Sequence, residues 1–369
     1  MNDTAQEAGF PASQTDLTPV DRVLEFARWA PSGDNTQPWR FEVRDAHRVL
    51  IHGHDTRDHC VYDLDGHGSH LALGTLLETI AIAAATEGCR ADVAYRPDSP
   101  DEAPLFDVTL VPSSDVVPDP LAPAIRTRAV QRRPMRARRL AAAEKRALEA
   151  AVQPGYRVLW LETAAQKWAA ARLLFANSKL RLTMREAYEV HRQIIEWDAR
   201  FSTDRIPDRS LGLDPLTLKL MRWVMGSWER VRFFNAYLAG TLAPRIQLDL
   251  VPALACGAHF VLVAERPATT LIDYVEAGRR LQRFWLTAEH LGLKLQPEVT
   301  PLIFARYLRE GRRFTAQADI VAAAAPMAGQ LRALLAGNLE NAVFMGRIGA
   351  GRDAASRSLR KTLAELQAR

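Results

Sequence analysis

Cysteine is nearly missing from this chain: Cys60, Cys89 and Cys256 are the only three in 369 residues. They are odd in number, far apart and free of Cys-x-x-Cys or Cys/His spacing, so neither a disulfide framework nor a zinc module organises the fold. No Gly-x-Gly-x-x-Gly follows a strand pattern and no Walker sequence occurs, which disfavours a built-in nicotinamide Rossmann domain or a nucleotide hydrolase. Long apolar runs are lacking too, since none reaches the ~18–20 residues of a bilayer span. Polar Met1–Thr18 has no basic-then-apolar signal pattern, so the expected location is the cytoplasm, with no membrane partner. His52, His54, His59, His67 and His70 crowd together. No two of them flank a carboxylate at helical i, i+4 spacing, and no metal site is assigned.

The chain is 48% hydrophobic and 25% charged, an ordinary globular balance with enough apolar residues for one large core or two moderate ones. Its net charge of +5 has a dense local source in Arg126, Arg128, Arg132, Arg133, Arg136, Arg138 and Arg139. Such a run serves as a solvated face, a nucleic-acid patch or a phosphate site. Aromatics and glycines are not interleaved with it, so a nucleic-acid role rests on charge alone and no nucleic-acid partner is expected.

The most informative stretch is Ala30-Pro31-Ser32-Gly33-Asp34-Asn35-Thr36-Gln37-Pro38-Trp39-Arg40-Phe41. It follows a helical pattern over Val20–Trp29 and runs into the strand-like Phe41-Glu42-Val43, which places it on a helix-to-strand loop. The short polar side chains of Ser32 and Asn35 can face a cleft there, although a plain helix stop and turn uses the same residue types. The stretch resembles the nitroreductase superfamily of flavin enzymes, in which Pro-Ser-x-x-Asn-x-Gln-Pro-Trp-x-Phe borders the flavin. That resemblance implies an α+β fold, bound FMN, and cofactor contacts from Pro31, Ser32, Asn35 and Gln37.

A repeat lies within the chain. Gly74–Gly88 aligns with Gly278–Gly292, with Leu77 on Leu281, Glu78 on Gln282, Ile82 on Leu286 and Ala84 on Ala288. Each copy reads as a buried helix closed by a left-handed glycine cap. Upstream, a helix and then Gln37-Pro38 running into a strand match Ala143–Val152 and then Gln153-Pro154 running into Tyr156–Leu159. Each half thus reads helix, strand, long helix, strand, and the second is interrupted by helices over about 163–248. Two Ala/Leu-rich helices share glycines and leucines cheaply, so the upstream agreement adds weight.

The halves differ in what they keep. Only the first has Pro31-Ser32-x-x-Asn35, and only the second is preceded by Arg128-Ala129-Val130-Gln131-Arg132. The latter is similar to the superfamily's Arg-x-Ser-x-Arg, which holds the flavin phosphate and ribityl chain; here Val130 replaces the serine. Arg128 and Arg132, four apart, are expected on one side of a helical turn. The resemblance further implies backbone amides near the flavin ring from a loop at Leu295 and Gln296, and basic residues closing over the phosphate at Arg347 and Arg357. The expected organisation is a flexible N-terminus over 1–19, a first half over 20–123 and a second over 124–369. Together they form an intrachain pseudo-dimer around one FMN.

Within the insertion, Trp223, Trp228, Phe233, Phe234 and Tyr237 stand among Lys219, Arg222, Arg230 and Arg232, a mixture that suits a lid, a membrane contact or core packing. His191, Trp197 and Asp198 are placed on the preceding helix. No catalytic acid is assigned, because solvent can supply the proton in such enzymes. The reading is a flavin oxidoreductase acting on a small organic substrate, with NAD(P)H as a transient reductant, as monomer or homodimer. A related subgroup often carries the label molybdopterin biosynthesis. The alternatives are a flavin-sequestering protein without turnover and, further off, a basic nucleic-acid-binding module.

Overall fold

The computed structural model describes residues 17–368. The expected flexible N-terminus over 1–19 lies almost wholly outside the described residues.

Helix α1 (Pro19–Ala27) starts where its sequence says it should. Thr18 caps the Asp21 amide, Asp21 caps back, and Pro19 takes the first turn, where an amide is not needed. Val20, Val23, Leu24 and Ala27 make its buried stripe. The chain then forms strands β1 (Trp39–Asp45) and β2 (Arg48–Gly53), helix α2 (His67–Thr86), and strands β3 (Cys89–Tyr95) and β4 (Leu105–Pro112). These strands form one antiparallel sheet in the order β1-β2-β4-β3.

The pattern recurs further on. Helix α3 (Ala142–Ala151) and strand β5 (Tyr156–Leu161) are followed by helices α4 (Ala164–Thr183), α5 (Arg185–Ile194), α6 (Pro215–Val224) and α7 (Trp228–Tyr237). Then come strand β6 (Ala258–Ala264), helix α8 (Leu271–His290) and strand β7 (Leu293–Pro297). Helices α9 (Thr300–Arg309) and α10 (Ala318–Leu334) lead into strand β8 (Ala342–Ala350). The second sheet runs β7-β8-β6-β5, again antiparallel throughout. Taken by position after each starting helix, the strands of the two sheets have the same order.

Two features depart from the sequence expectation. Each of these two sheets has four strands, and β2, β4 and β6 are additions to the helix, strand, long helix, strand reading; β2 closes a local hairpin with β1, whereas β5 meets β6 only across the inserted helices. The C-terminus also returns to the first sheet: the Ala368 amide donates to the Phe41 carbonyl at 2.8 Å, and Leu366 is buried in the first core.

Helices α2 and α8 pack against each other at the glycines aligned above. A Cβ on Gly74 would sit 2.8 Å from the Gly278 Cα, so only two glycines permit this crossing. Both helices close through left-handed glycines, Gly88 at φ +63° and Gly292 at φ +71°. Polar groups seal the contact: Arg279 and Arg283 each reach Glu78 at 3.0 Å, and the Gln282 amide donates to the Thr79 hydroxyl at 2.8 Å. By length and hydropathy α2 matches a membrane span, yet most of it is buried within the protein, against α8, α1 and the first sheet.

Candidate functional site

A cavity of about 420 Å³ lies among the Pro31–Asn35 loop, the first turns of α2, the second sheet and the inserted helices. Of the residues singled out from sequence, Pro31, Ser32, Asn35, Arg128, Arg132, Gln296, Arg347 and Arg357 line it. Gln37 and Leu295 do not.

The Pro31–Gln37 loop is tightly wound. Asp34, Asn35 and Gln37 all have positive φ, at 51°, 63° and 50°, a conformation that costs a non-glycine residue and persists where its surroundings enforce it. The enforcing contacts are visible. The Gln37 amide donates to the Ser32 hydroxyl at 2.9 Å, so Ser32 braces the turn from inside. Buried Gln37 donates to the Thr203 carbonyl at 2.9 Å and accepts from the Lys361 amide at 2.9 Å. It ties the loop to the insertion and to the C-terminal arm, and it does not reach the cavity. The Asn35 amide nitrogen reaches the Arg205 carbonyl at 3.3 Å, while its Oδ1 is buried with no partner.

Leu295 and Gln296 sit on strand β7, at the sheet edge, where a loop was expected. The Leu295 side chain is buried, and its carbonyl accepts from the Gln131 amide at 3.0 Å. Gln296 faces the cavity with a buried, unpartnered Oε1.

The basic run does not form a helical turn. Arg128 ends a short helix, and the chain from there to Leu140 is irregular, with Val130 bridged to Leu295. The run therefore divides. Exposed Arg138 pairs with half-buried Glu144, whereas Arg128 and Arg132 enter the cavity. Arg128 is 5% exposed, lies over the Trp285 ring at 4.7 Å, donates to the Trp29 carbonyl at 3.0 Å and leaves its Nε unpartnered. Beside it, Arg360 donates to the Ala30 carbonyl at 3.0 Å, and Arg357 donates to the Arg126 carbonyl at 2.8 Å. Among the described residues none of Arg128, Arg132, Arg357 and Arg360 has a carboxylate in ion-pair range. Burial, followed by the neighbouring Arg357, pushes the Arg128 pKa down to about 10. Burial and then Arg128 and Arg357 hold Arg360 well below its ordinary value. These are clustered cations on which Asp34, beside Arg132, and Glu289, beside Arg128 and Arg357, act only from beyond ion-pair range.

Arg347 differs from that set. Its Nη1 binds Glu298 at 2.7 Å and its Nη2 donates to the Arg132 carbonyl at 2.8 Å, so a buried carboxylate already compensates it. Glu298 also holds His259 Nδ1 at 2.7 Å. Burial opposes charging His259, but Glu298 outweighs it and lifts the pKa to about 10 from the ordinary 6.5. A folded value above the unfolded one means that this stabilisation is complete below pH 6.5 and is lost as pH rises through about 10. Glu298→Gln is expected to cost about 3–5 kcal/mol, because it strands two buried cations, and to flatten the decline in stability over that range. Urea unfolding across pH checks this; parallel profiles for the two proteins contradict it.

The insertion closes the remaining wall with Ser178 and Arg181 of α4, His191 and Ile194 of α5, Met221 of α6, and Leu248 and Asp249. Arg181 and Asp249 form a loose pair at 3.5 Å. His191 Nε2 meets the Tyr62 hydroxyl at 3.0 Å, and burial pushes the His191 pKa down to about 3, so the imidazole is neutral. Trp197 and Asp198 lie beyond the end of α5, where Asp198 pairs with Arg222 away from the cavity. Sequence reasoning did not place Asp34, Arg181, Glu298 or Arg360 here. Arg360 had a signal, the basic C-terminal run; Arg181 had none, standing on an unremarked helix.

No family model matches the chain, and no curated protein matches it. Among solved structures it is similar to an FMN-dependent nitroreductase from Mycobacterium smegmatis, determined in complex with NADPH. The two share 17% identity at a TM-score of 0.34, over 66% of this chain and 94% of that one. A likeness that distant adds no weight to any function, which has to come from the cavity itself.

Proposed function

We propose that this chain is an FMN-dependent oxidoreductase of the nitroreductase type, with two related halves sharing one flavin. One observation carries the reading: a single cavity joins the carboxylate-free Arg128, Arg357 and Arg360 to the unpartnered amide oxygens of Asn35 and Gln296. A phosphate monoester brings nearly two negative charges, and guanidinium forks suit it in charge and shape. Buried cations that repel one another are relieved when such an anion arrives. The orphaned oxygens of Asn35 and Gln296 would supply acceptors for the N–H groups of a bound flavin, and Trp285, Leu281 and Ile303 add apolar wall. The donor set fits the group.

Bound FMN supplies hydride transfer at its N5. The chain binds it, fixes its orientation and limits water in the cavity, leaving protons for a small organic oxidant to solvent. The halves span 20–123 and 124–369, with the insertion over about 163–248 forming the outer wall. NAD(P)H is the proposed transient reductant.

The test is the visible spectrum of FMN-reconstituted protein before and after anaerobic NADPH. A yellow protein that bleaches supports the reading, and a protein that stays colourless after incubation with FMN contradicts it. A second reading, flavin sequestration, draws on the bonds from Asn35 to Arg205 and from Gln37 to Thr203, which latch the insertion over the loop. It calls for bound FMN that NADPH fails to bleach.

A further inference from the structure

Helices α6 and α7 are oddly attached. Helix α6 buries none of its residues, and α7 buries only Val231. Leu218 and Met221 of α6 lean on a small apolar cluster of the insertion, and Met221 also lines the cavity. The outer side is apolar as well. Leu216, Leu220 and Trp223, at i, i+4 and i+7, form one exposed stripe, and Phe233 with Tyr237, at i and i+4, forms another. Ring contacts join them: Trp223 to Phe234 at 5.7 Å, Phe234 to Phe233 at 6.2 Å, and Phe233 to Tyr237 at 5.2 Å. Leu216 is 77% exposed and Tyr237 75%, so the patch is a continuous apolar surface facing water.

Charge decides what covers it. Lys219, Arg230 and Arg232 border the stripes, with Arg230 over the Trp223 ring at 4.7 Å; Arg222 is paired with Asp198, and Glu229 is the one acid within the two helices. A second copy on this face would bring like charges together. A lipid surface with anionic headgroups meets the cations at headgroup level and takes the leucines and aromatic rings just beneath. We propose that the α6–α7 hairpin is a peripheral docking surface for an anionic membrane. This revises the expectation of no membrane partner; it is surface attachment, with no span across the bilayer. It stands independently of the flavin reading, although Met221 reaches the cavity from the same helix.

Sedimentation of the protein with vesicles of phosphatidylcholine, with and without phosphatidylglycerol, provides the test. The protein is expected to pellet with the anionic vesicles and to release as salt rises. Leu216→Glu with Leu220→Glu weakens partitioning by about tenfold or more, since each leucine loses apolar burial and adds repulsion. Lys219→Glu with Arg232→Glu weakens it by about tenfold or more as well. All four positions are exposed, so thermal unfolding of both variants should match the parent. Equal binding to neutral and anionic vesicles, or none to either, overturns the proposal. So does a concentration-dependent dimer that the leucine variant dissolves, which assigns the face to a second copy.

Discussion

Arg128→Met lowers the affinity for FMN by about a hundredfold, or about 3 kcal/mol, and leaves the cofactor-free protein within about 1 kcal/mol of the parent stability. The two halves of this expectation have one cause. In the cofactor-free protein Arg128 is a buried cation facing Arg357 and Arg360, compensated by the Trp29 carbonyl, the Trp285 face and, from further off, Glu289. Its removal forfeits those contacts and also relieves desolvation and repulsion, so the terms largely offset. With FMN bound, the same side chain supplies charge-assisted hydrogen bonds that methionine cannot replace. Fluorescence titration of FMN and urea unfolding measure the two quantities. A large loss of stability with little change in affinity assigns Arg128 a structural role instead.

Gly74→Ala is expected to destabilise the protein by more than about 3 kcal/mol, beyond the usual range for overpacking by one methyl group. The added Cβ would lie 1.9 Å from the Val275 carbonyl oxygen, and backbone cannot rotate aside as a side chain does. Gly278→Ala is equivalent, since its Cβ would meet the Leu71 carbonyl oxygen at 2.1 Å. Gly88→Ala serves as the contrast: nothing lies within 4 Å of its Cβ, and only the left-handed backbone resists, at about 1 kcal/mol. Equilibrium unfolding of the three variants measures the order. If Gly74→Ala matches Gly88→Ala, the close crossing of α2 and α8 is not what joins the two sheets.

What could be read from the sequence was what local chemistry dictates. The loop at Pro31–Gln37 announced itself through residue types that tolerate its unusual backbone. The Gly74 and Gly278 repeat was visible because a close helix crossing admits no other residue. The arginine cluster was only half legible, since Arg128 and Arg132 stand on one segment and Arg357 and Arg360 on another far along the chain. Arg128 drew notice within a basic run that then divides between cavity and surface. Arg347 looked like a free phosphate ligand because its partner Glu298 lies on another part of the fold. The wall contributed by Arg181, His191 and Asp249 left no trace, because whether an inserted helix faces a cavity depends on packing that one-dimensional periodicity does not encode. The return of residues 366–368 to the first core escaped notice for the same reason.

The central claim is one flavin per chain, anchored by its phosphate. Titrating the protein with FMN and with riboflavin, following flavin fluorescence, tests both parts. Saturation is expected at one FMN per chain, with riboflavin bound more weakly by about a hundredfold through the loss of the phosphate contacts. Saturation at two flavins per chain, or equal affinity for FMN and riboflavin, contradicts it.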